Sequence, residues 1–175
     1  MTINGQQAYS RWSCHGESLI YKGGLMIRKI LTPLDGSETS RKALEYAVDL
    51  AKQTGSTIIL LSVIDKSPFY AAQTVLPALS PTHLLENLED YFRQTAEAYV
   101  AEAEDLCKTK EVLSQKVIRA GHPVEEIINA AENSKVDLIV MGSHGKSALG
   151  AAILGSVTIG VIHRETKFPV LLVRR

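Results

Sequence analysis

Apolar and polar positions along residues 26–175 switch repeatedly between two spacings. Short runs rich in β-branched residues and bounded by turn formers predict five strands: IRKILTP (27–33), STIILLSVID (56–65), SQKVIRAG (114–121), VDLIVMG (136–142) and FPVLLVRR (168–175). Between them the apolar positions take helical spacing. Ala43, Leu44, Ala47, Val48 and Ala51 share one helical face, and Gly55 stands where a C-terminal cap belongs. Leu85, Leu88, Phe92, Ala96, Tyr99, Ala103 and Leu106 recur every three or four residues and mark a long amphipathic helix. Segments 122–134 and 155–166 predict two more helices. Pro123 suits a first helical turn, and Glu125 and Glu126 complement its positive end. The connection 67–84 carries three prolines and predicts a loop or a broken helix.

Strands that alternate with helices imply a parallel sheet covered on both faces, because parallel neighbours need crossovers. The expected class is therefore α/β, an open five-stranded parallel sheet with helices on both sides. In such sheets a ligand sits beyond the carboxyl ends of the strands, where strand order reverses. The informative loops are then TPLDGSE (32–38), SVIDKS (62–67), AGHPVEE (120–126) and MGSHGKSALG (141–150).

Composition narrows the partners. A chain of 175 residues with 45% apolar content suffices for one compact domain. Nineteen basic against nineteen acidic residues leave no broad basic surface for nucleic acid or an anionic membrane. The longest mostly apolar run, 148–162, is interrupted by glycine, serine and threonine and falls short of a membrane span. Residues 1–25 have neither regular patterning nor a signal-peptide core, and patterning starts abruptly at Met26. They are expected to form a disordered extension, with translation starting at Met26 as the simplest explanation and a partner-binding arm using Trp12 and Tyr21 as the alternative. Cys14 and Cys107 form neither a disulfide framework nor a CxxC site, so a reducing cytoplasm is expected. Histidines 15, 83, 122, 144 and 163 show no zinc-ligand spacing.

The candidate chemistry lies in MGSHGKSALGAAILGS (141–156). Glycines at 142, 145 and 155 would let backbone amides converge on phosphate oxygens, with positive φ available to them, and Ser156 and Thr158 add hydroxyls at a helix start. The competing account is that small residues simply let this segment pack closely. Two familiar phosphate motifs fail: GKS at 145–147 lacks the earlier P-loop glycine, since position 140 is Val140, and LDGSET after the first strand has one glycine where a dinucleotide fingerprint needs three.

Spacing is more specific than glycine count. GSHG, nine residues, then GS gives G-x2-G-x9-G-[ST] after the fourth strand, and nearly all of 26–175 resembles the universal stress protein family, in its ATP-binding subgroup. The resemblance rests also on ILTPLDGSETSRKALEYAVDLAK, ILLSVID and GSVTIGVIHRETKFPVLLVRR. It implies a Rossmann-like fold of the adenine nucleotide alpha hydrolase type, with strand order 3-2-1-4-5. It further implies ATP as ligand, with Asp35 near the ribose and phosphates and able to act through a divalent metal, Mg2+ or Mn2+. Pro33 and Leu34 frame Asp35, the Val63 backbone meets adenine, and Met141 and Gly142 form the fourth-strand edge. Gly145, Gly155, Ser156, Val157 and Thr158 cradle phosphate, with His144 and Lys146 in the same loop. A homodimer through the last strand, 169–174, is implied as well, and its apolar edge invites the same pairing on physical grounds.

Asp35 has a local rival role, opening the following helix through an Asx turn. No dedicated residue for positioning water stands in the loops unless His144 serves, so the expected activity is a nucleotide-dependent stress or signalling switch with slow ATP hydrolysis at most. The alternative from another class is an interaction or scaffold module that does not use nucleotide. A receiver-like signalling domain is disfavoured, because the third strand ends in RAGHP, without a phosphoacceptor aspartate.

Overall fold

The computed structural model describes residues 26–67, 82–145, 154–164 and 167–174. The strands are β1 (Lys29–Leu34), β2 (Thr57–Asp65), β3 (Ser114–Gly121), β4 (Leu138–Gly142) and β5 (Val170–Val173). The helices among the described residues are α1 (Glu38–Thr54), α2 (Thr82–Thr109), α3 (Pro123–Ser134) and α4 (Ser156–Arg164). All strand pairs are parallel, in the order β3-β2-β1-β4-β5, so the expected class and strand order are both observed. The polarity of the order reverses between β1 and β4.

The two-residue period of the strands divides the core. Ile30, Leu34, Ile58, Leu60, Leu138 and Val140 face α1 and α2, where Ala43, Leu44, Ala47, Val48, Val100, Ala103 and Cys107 meet them. Leu31, Ile59, Leu61, Ile139 and Met141 face α3 and α4, against Val124, Ile127, Ala130, Ala131 and Val161. Burying each large side chain contributes roughly 1.5–3 kcal/mol. Truncating Ile139, fully buried in the second layer, to alanine would cost about 2–5 kcal/mol.

Element boundaries shift for identifiable reasons. Residues 136–137 do not join β4 as expected: the Asp137 carboxylate instead accepts from Arg28 N at 2.8 Å and Lys29 N at 3.0 Å, fastening the start of β1. α2 begins at Thr82, inside the segment expected to be a loop or a broken helix, while the expectation for 68–81 and that for 1–25 lie outside the described residues. The sheet edges also differ. β3 exposes Lys116 and Arg119, charges that discourage edge pairing, whereas β5 presents four half-buried apolar residues.

Candidate functional site

The β1–α1 junction is closed by its own side chains. Ser37 caps α1, its hydroxyl accepting from Ser40 N at 3.1 Å, and Glu38 in the first turn complements the helix dipole. Asp35 forms the Asx turn weighed above, Oδ1 accepting from Ser37 N at 3.0 Å. Gly36 between them has φ +74°, and a Cβ there would lie 2.4 Å from the Tyr99 ring, so this position admits glycine alone. The Asp35 side chain is exposed and its second oxygen, Oδ2, turns toward Gly145, where it would stand 2.9 Å from an added Cβ.

The end of β4 lies against this junction. Thr39 donates its hydroxyl to the His144 carbonyl, and Ser37 Oγ reaches the same carbonyl at 3.4 Å. At Gly142 an added Cβ would come within 2.8 Å of the Thr39 carbonyl carbon and 2.9 Å of Ser40 N. These are backbone atoms that cannot step aside. The expectation that the loop glycines supply positive φ is corrected here: among the described glycines it is Gly36, Gly55 and Gly121 that have positive φ, not Gly142, Gly145 or Gly155. Gly142 is needed for close approach of β4 to α1, and Gly155 passes 3.3 Å from the His144 Cα by the same measure.

α4 starts from this loop. Gly155 N donates to Ser143 O at 2.9 Å, and Ile159 N donates to Gly155 O at 2.9 Å, which identifies Gly155 as the helix N-cap. The amides of Ser156, Val157 and Thr158 therefore have no partner within the helix. No acidic residue occupies the first turn. Thr158 is buried and its hydroxyl donates to Gly142 O at 3.1 Å, tying α4 to β4 instead of pointing outward as an anion donor. Ser156 is exposed and Val157 half-buried.

Next to these amides stands His144. Its Nδ1 pairs with Ser143 Oγ at 2.8 Å, and its Nε2 is buried without a hydrogen-bond partner. A buried unpaired donor or acceptor costs roughly 1–3 kcal/mol. Thr32 Oγ1 is the other such atom among the described residues, and it follows directly after the last β1–β4 pair.

That seam is where the sheet opens. β1 pairs with β2 over six registered positions but with β4 over two, ending at Leu31↔Ile139. Thr57 N donates to Arg28 O and Ile58 N to Leu113 O, so odd residues of β2 turn their backbone groups toward β1. The β1 ladder ends at Leu34↔Ser62 while β2 continues to Asp65 against β3. The Val63 carbonyl consequently faces past the end of β1, into the opening.

The structure thus brings Asp35, Met141, Gly142, His144, Gly145, Gly155, Ser156, Val157 and Thr158 to one corner, with Pro33 and Leu34 leading into it and Val63 on its far wall. Leu34 and Met141 are buried and act through packing and backbone. Lys146 lies outside the described residues. The sequence reading missed Ser37, Thr39 and Ser143, small hydroxyl residues: Ser37 and Thr39 reach the His144 carbonyl more than a hundred positions away, and Ser143 pairs with the neighbouring His144 ring. Among the described residues no group of three or more His, Cys, Asp and Glu side chains is arranged to hold a metal. Cys107 is a core residue whose thiol burial pushes up, away from the reactive thiolate. No described helix is long and apolar enough to cross a membrane.

Comparison with known proteins agrees with this architecture. Residues 26–174 match the model of the universal stress protein family. Universal stress protein MJ0577 of Methanocaldococcus jannaschii is 37% identical over 158 residues, 86% of this chain and 97% of that protein. Universal stress protein YxiE of Bacillus subtilis is 32% identical over 149 residues, 85% of this chain and 100% of its own. A solved structure of MJ0577 superposes with a TM-score of 0.72, covering 86% and 97% of the two chains. A universal stress protein solved in complex with cAMP shares the fold at a TM-score of 0.58 and 24% identity, covering 85% of this chain and 98% of that one. The matched span contains every described element from β1 to β5, and the chain belongs to the universal stress protein family.

Proposed function

We propose that this protein binds ATP at the β1–β4 opening and uses nucleotide occupancy as a stress or signalling switch, with hydrolysis slow at most. The observation that carries the reading is the α4 N-terminus: three amides without intrahelical partners and no carboxylate to neutralise the helix dipole, set against the Gly142–Gly145 loop at the point where strand order reverses. An anion there would complete an arrangement the chain leaves open. The free backbone edge at Val63 suits recognition of a planar base by main-chain groups. Nucleotide complexes of relatives, such as the family member solved with cAMP, support the class of ligand.

The residues present fit a divalent ion held mainly by the nucleotide. Asp35 Oδ2 would supply one protein oxygen and the phosphates the others; such an ion, Mg2+ or Mn2+, neutralises phosphate charge. Asp35 orients, the loop and α4 amides bind the phosphates, and the closed β1–α1 junction keeps Asp35 in place. Among the described residues no glutamine, arginine or carboxylate besides Asp35 stands at the phosphate end to position water. Slow turnover follows from that.

Assembly as a homodimer through β5 is part of the same proposal. Its four apolar residues are half-buried and its outer edge has no strand partner among the described residues, which invites a second copy. Leu172→Arg is expected to give monomer by light scattering; a dimer of unchanged mass would remove β5 from the interface.

A second reading, an interaction module indifferent to nucleotide, is favoured by one observation: close packing alone accounts for Gly142. One experiment separates the two. The protein is purified without added nucleotide and denatured, and released small molecules are identified by mass spectrometry, with Gly145→Ala and Asp35→Ala alongside. ATP or ADP released from wild type and diminished in the variants supports the switch. An empty protein that also ignores added Mg-ATP leaves the interaction module.

A further inference from the structure

We infer that Ser143 sets the tautomer of His144 so that Nε2–H is a built-in donor to a phosphate oxygen of the bound nucleotide. The inference rests on the nucleotide-binding reading above. Ser143 is fully buried, and its hydroxyl has one partner, His144 Nδ1, at 2.8 Å. A hydroxyl buried in this way must direct its proton at that partner, because accepting from Nδ1 would leave the hydroxyl proton unpaired. Nδ1 is then the acceptor, and in the neutral ring the proton resides on Nε2. That nitrogen is buried and unpaired. The ring belongs to the loop whose carbonyl at His144 is fastened by Thr39 and whose Ser143 carbonyl holds the Gly155 amide. Backbone and side chain are thus anchored from both junctions, the His144 Cα lies 3.3 Å from where a Cβ on Gly155, the α4 N-cap, would stand, and the Nε2 donor of this residue is left unsatisfied. A donor buried there matches an anion and would repel a cation. Ser143 is a positioning residue in this arrangement; His144 touches the ligand.

The two amide isosteres of histidine test it. Asparagine places its nitrogen near Nδ1, and glutamine can extend its nitrogen to the place of Nε2. His144→Gln should keep ATP affinity within about threefold, and His144→Asn should lose about tenfold or more, as expected for removal of a hydrogen bond to a charged group. Adenosine, lacking phosphate, either fails to bind or binds both variants and wild type alike. Nitrogen-15 spectra of the wild-type ring should show the Nε2–H tautomer, with Ser143→Ala mixing the two tautomers and weakening ATP without altering the Gln–Asn ranking. Equal ATP loss in both isosteres, loss of adenosine binding parallel to that of ATP, or an Nδ1–H ring in wild type would each overturn the inference while leaving nucleotide binding intact. Wild type that binds no nucleotide overturns the functional reading and this inference together.

Discussion

Two helices begin at the same corner of the sheet, α1 after β1 and α4 after β4, and their first turns are finished differently. α1 is capped by Ser37, preceded by the Asp35 turn and headed by Glu38. α4 starts at Gly155, which has no side chain to cap with, and has no acid in its first turn. Both ends carry the same positive dipole and the same surplus of amides. The chain finishes one with its own side chains and leaves the other without a side-chain cap or acid. A helix end becomes a candidate anion site through what is missing from it, and the contrast with a finished neighbour makes that absence informative.

The comparison can be broken most forcefully at Gly142. Alanine there would push into the Thr39 and Ser40 backbone, and should destabilise the fold by about 1–3 kcal/mol in urea titration, as overpacking does. Alanine at Gly145 meets the movable end of Asp35, so stability should change by no more than about 0.5 kcal/mol. Equal stabilities for the two variants would defeat the close-packing account of Gly142. Next in size, removing the α1 cap with Ser37→Ala should cost about 1 kcal/mol; a melt unchanged from wild type would mean that the junction does not depend on its cap. A small gain in stability carries the sharpest test. Ser156→Asp gives α4 the acid that α1 already has, which should stabilise by about 0.3–1 kcal/mol while abolishing ATP binding in calorimetry. Full ATP affinity in this more stable variant would place the phosphates elsewhere.

The two outer strands show a related contrast. Among the described residues β3 and β5 both lack a strand neighbour on one side, but Lys116 and Arg119 make β3 a poor template, and β5 bears no charge between Val170 and Val173. The fold is protected against association at one edge and available for it at the other.

Much of this was legible in sequence because it depends on short-range physics. The β-branched runs, the 3.6-residue stripe from Ala43 to Ala51, the cap at Gly55 and the proline at the start of α3 are each determined by local sterics, hydrogen bonding and burial, and the G-x2-G-x9-G-[ST] spacing pointed to the family that the chain belongs to. Other features depended on residues distant in the chain. Gly142 read as a glycine with positive φ available for amides to converge on phosphate, yet Thr39, some hundred positions earlier, decides that it is a contact glycine. Thr158 read as an anion donor until its hydroxyl was found on Gly142 O. Asp137 read as strand until its carboxylate took the amides of Arg28 and Lys29. Sequence alone determined which segments are strands and helices, since those follow from neighbours along the chain. Tertiary structure decided which polar atoms were already satisfied and which, at His144 and the first turn of α4, were left without a partner among the described residues, because a hydrogen bond is completed by whatever the fold brings within 3 Å.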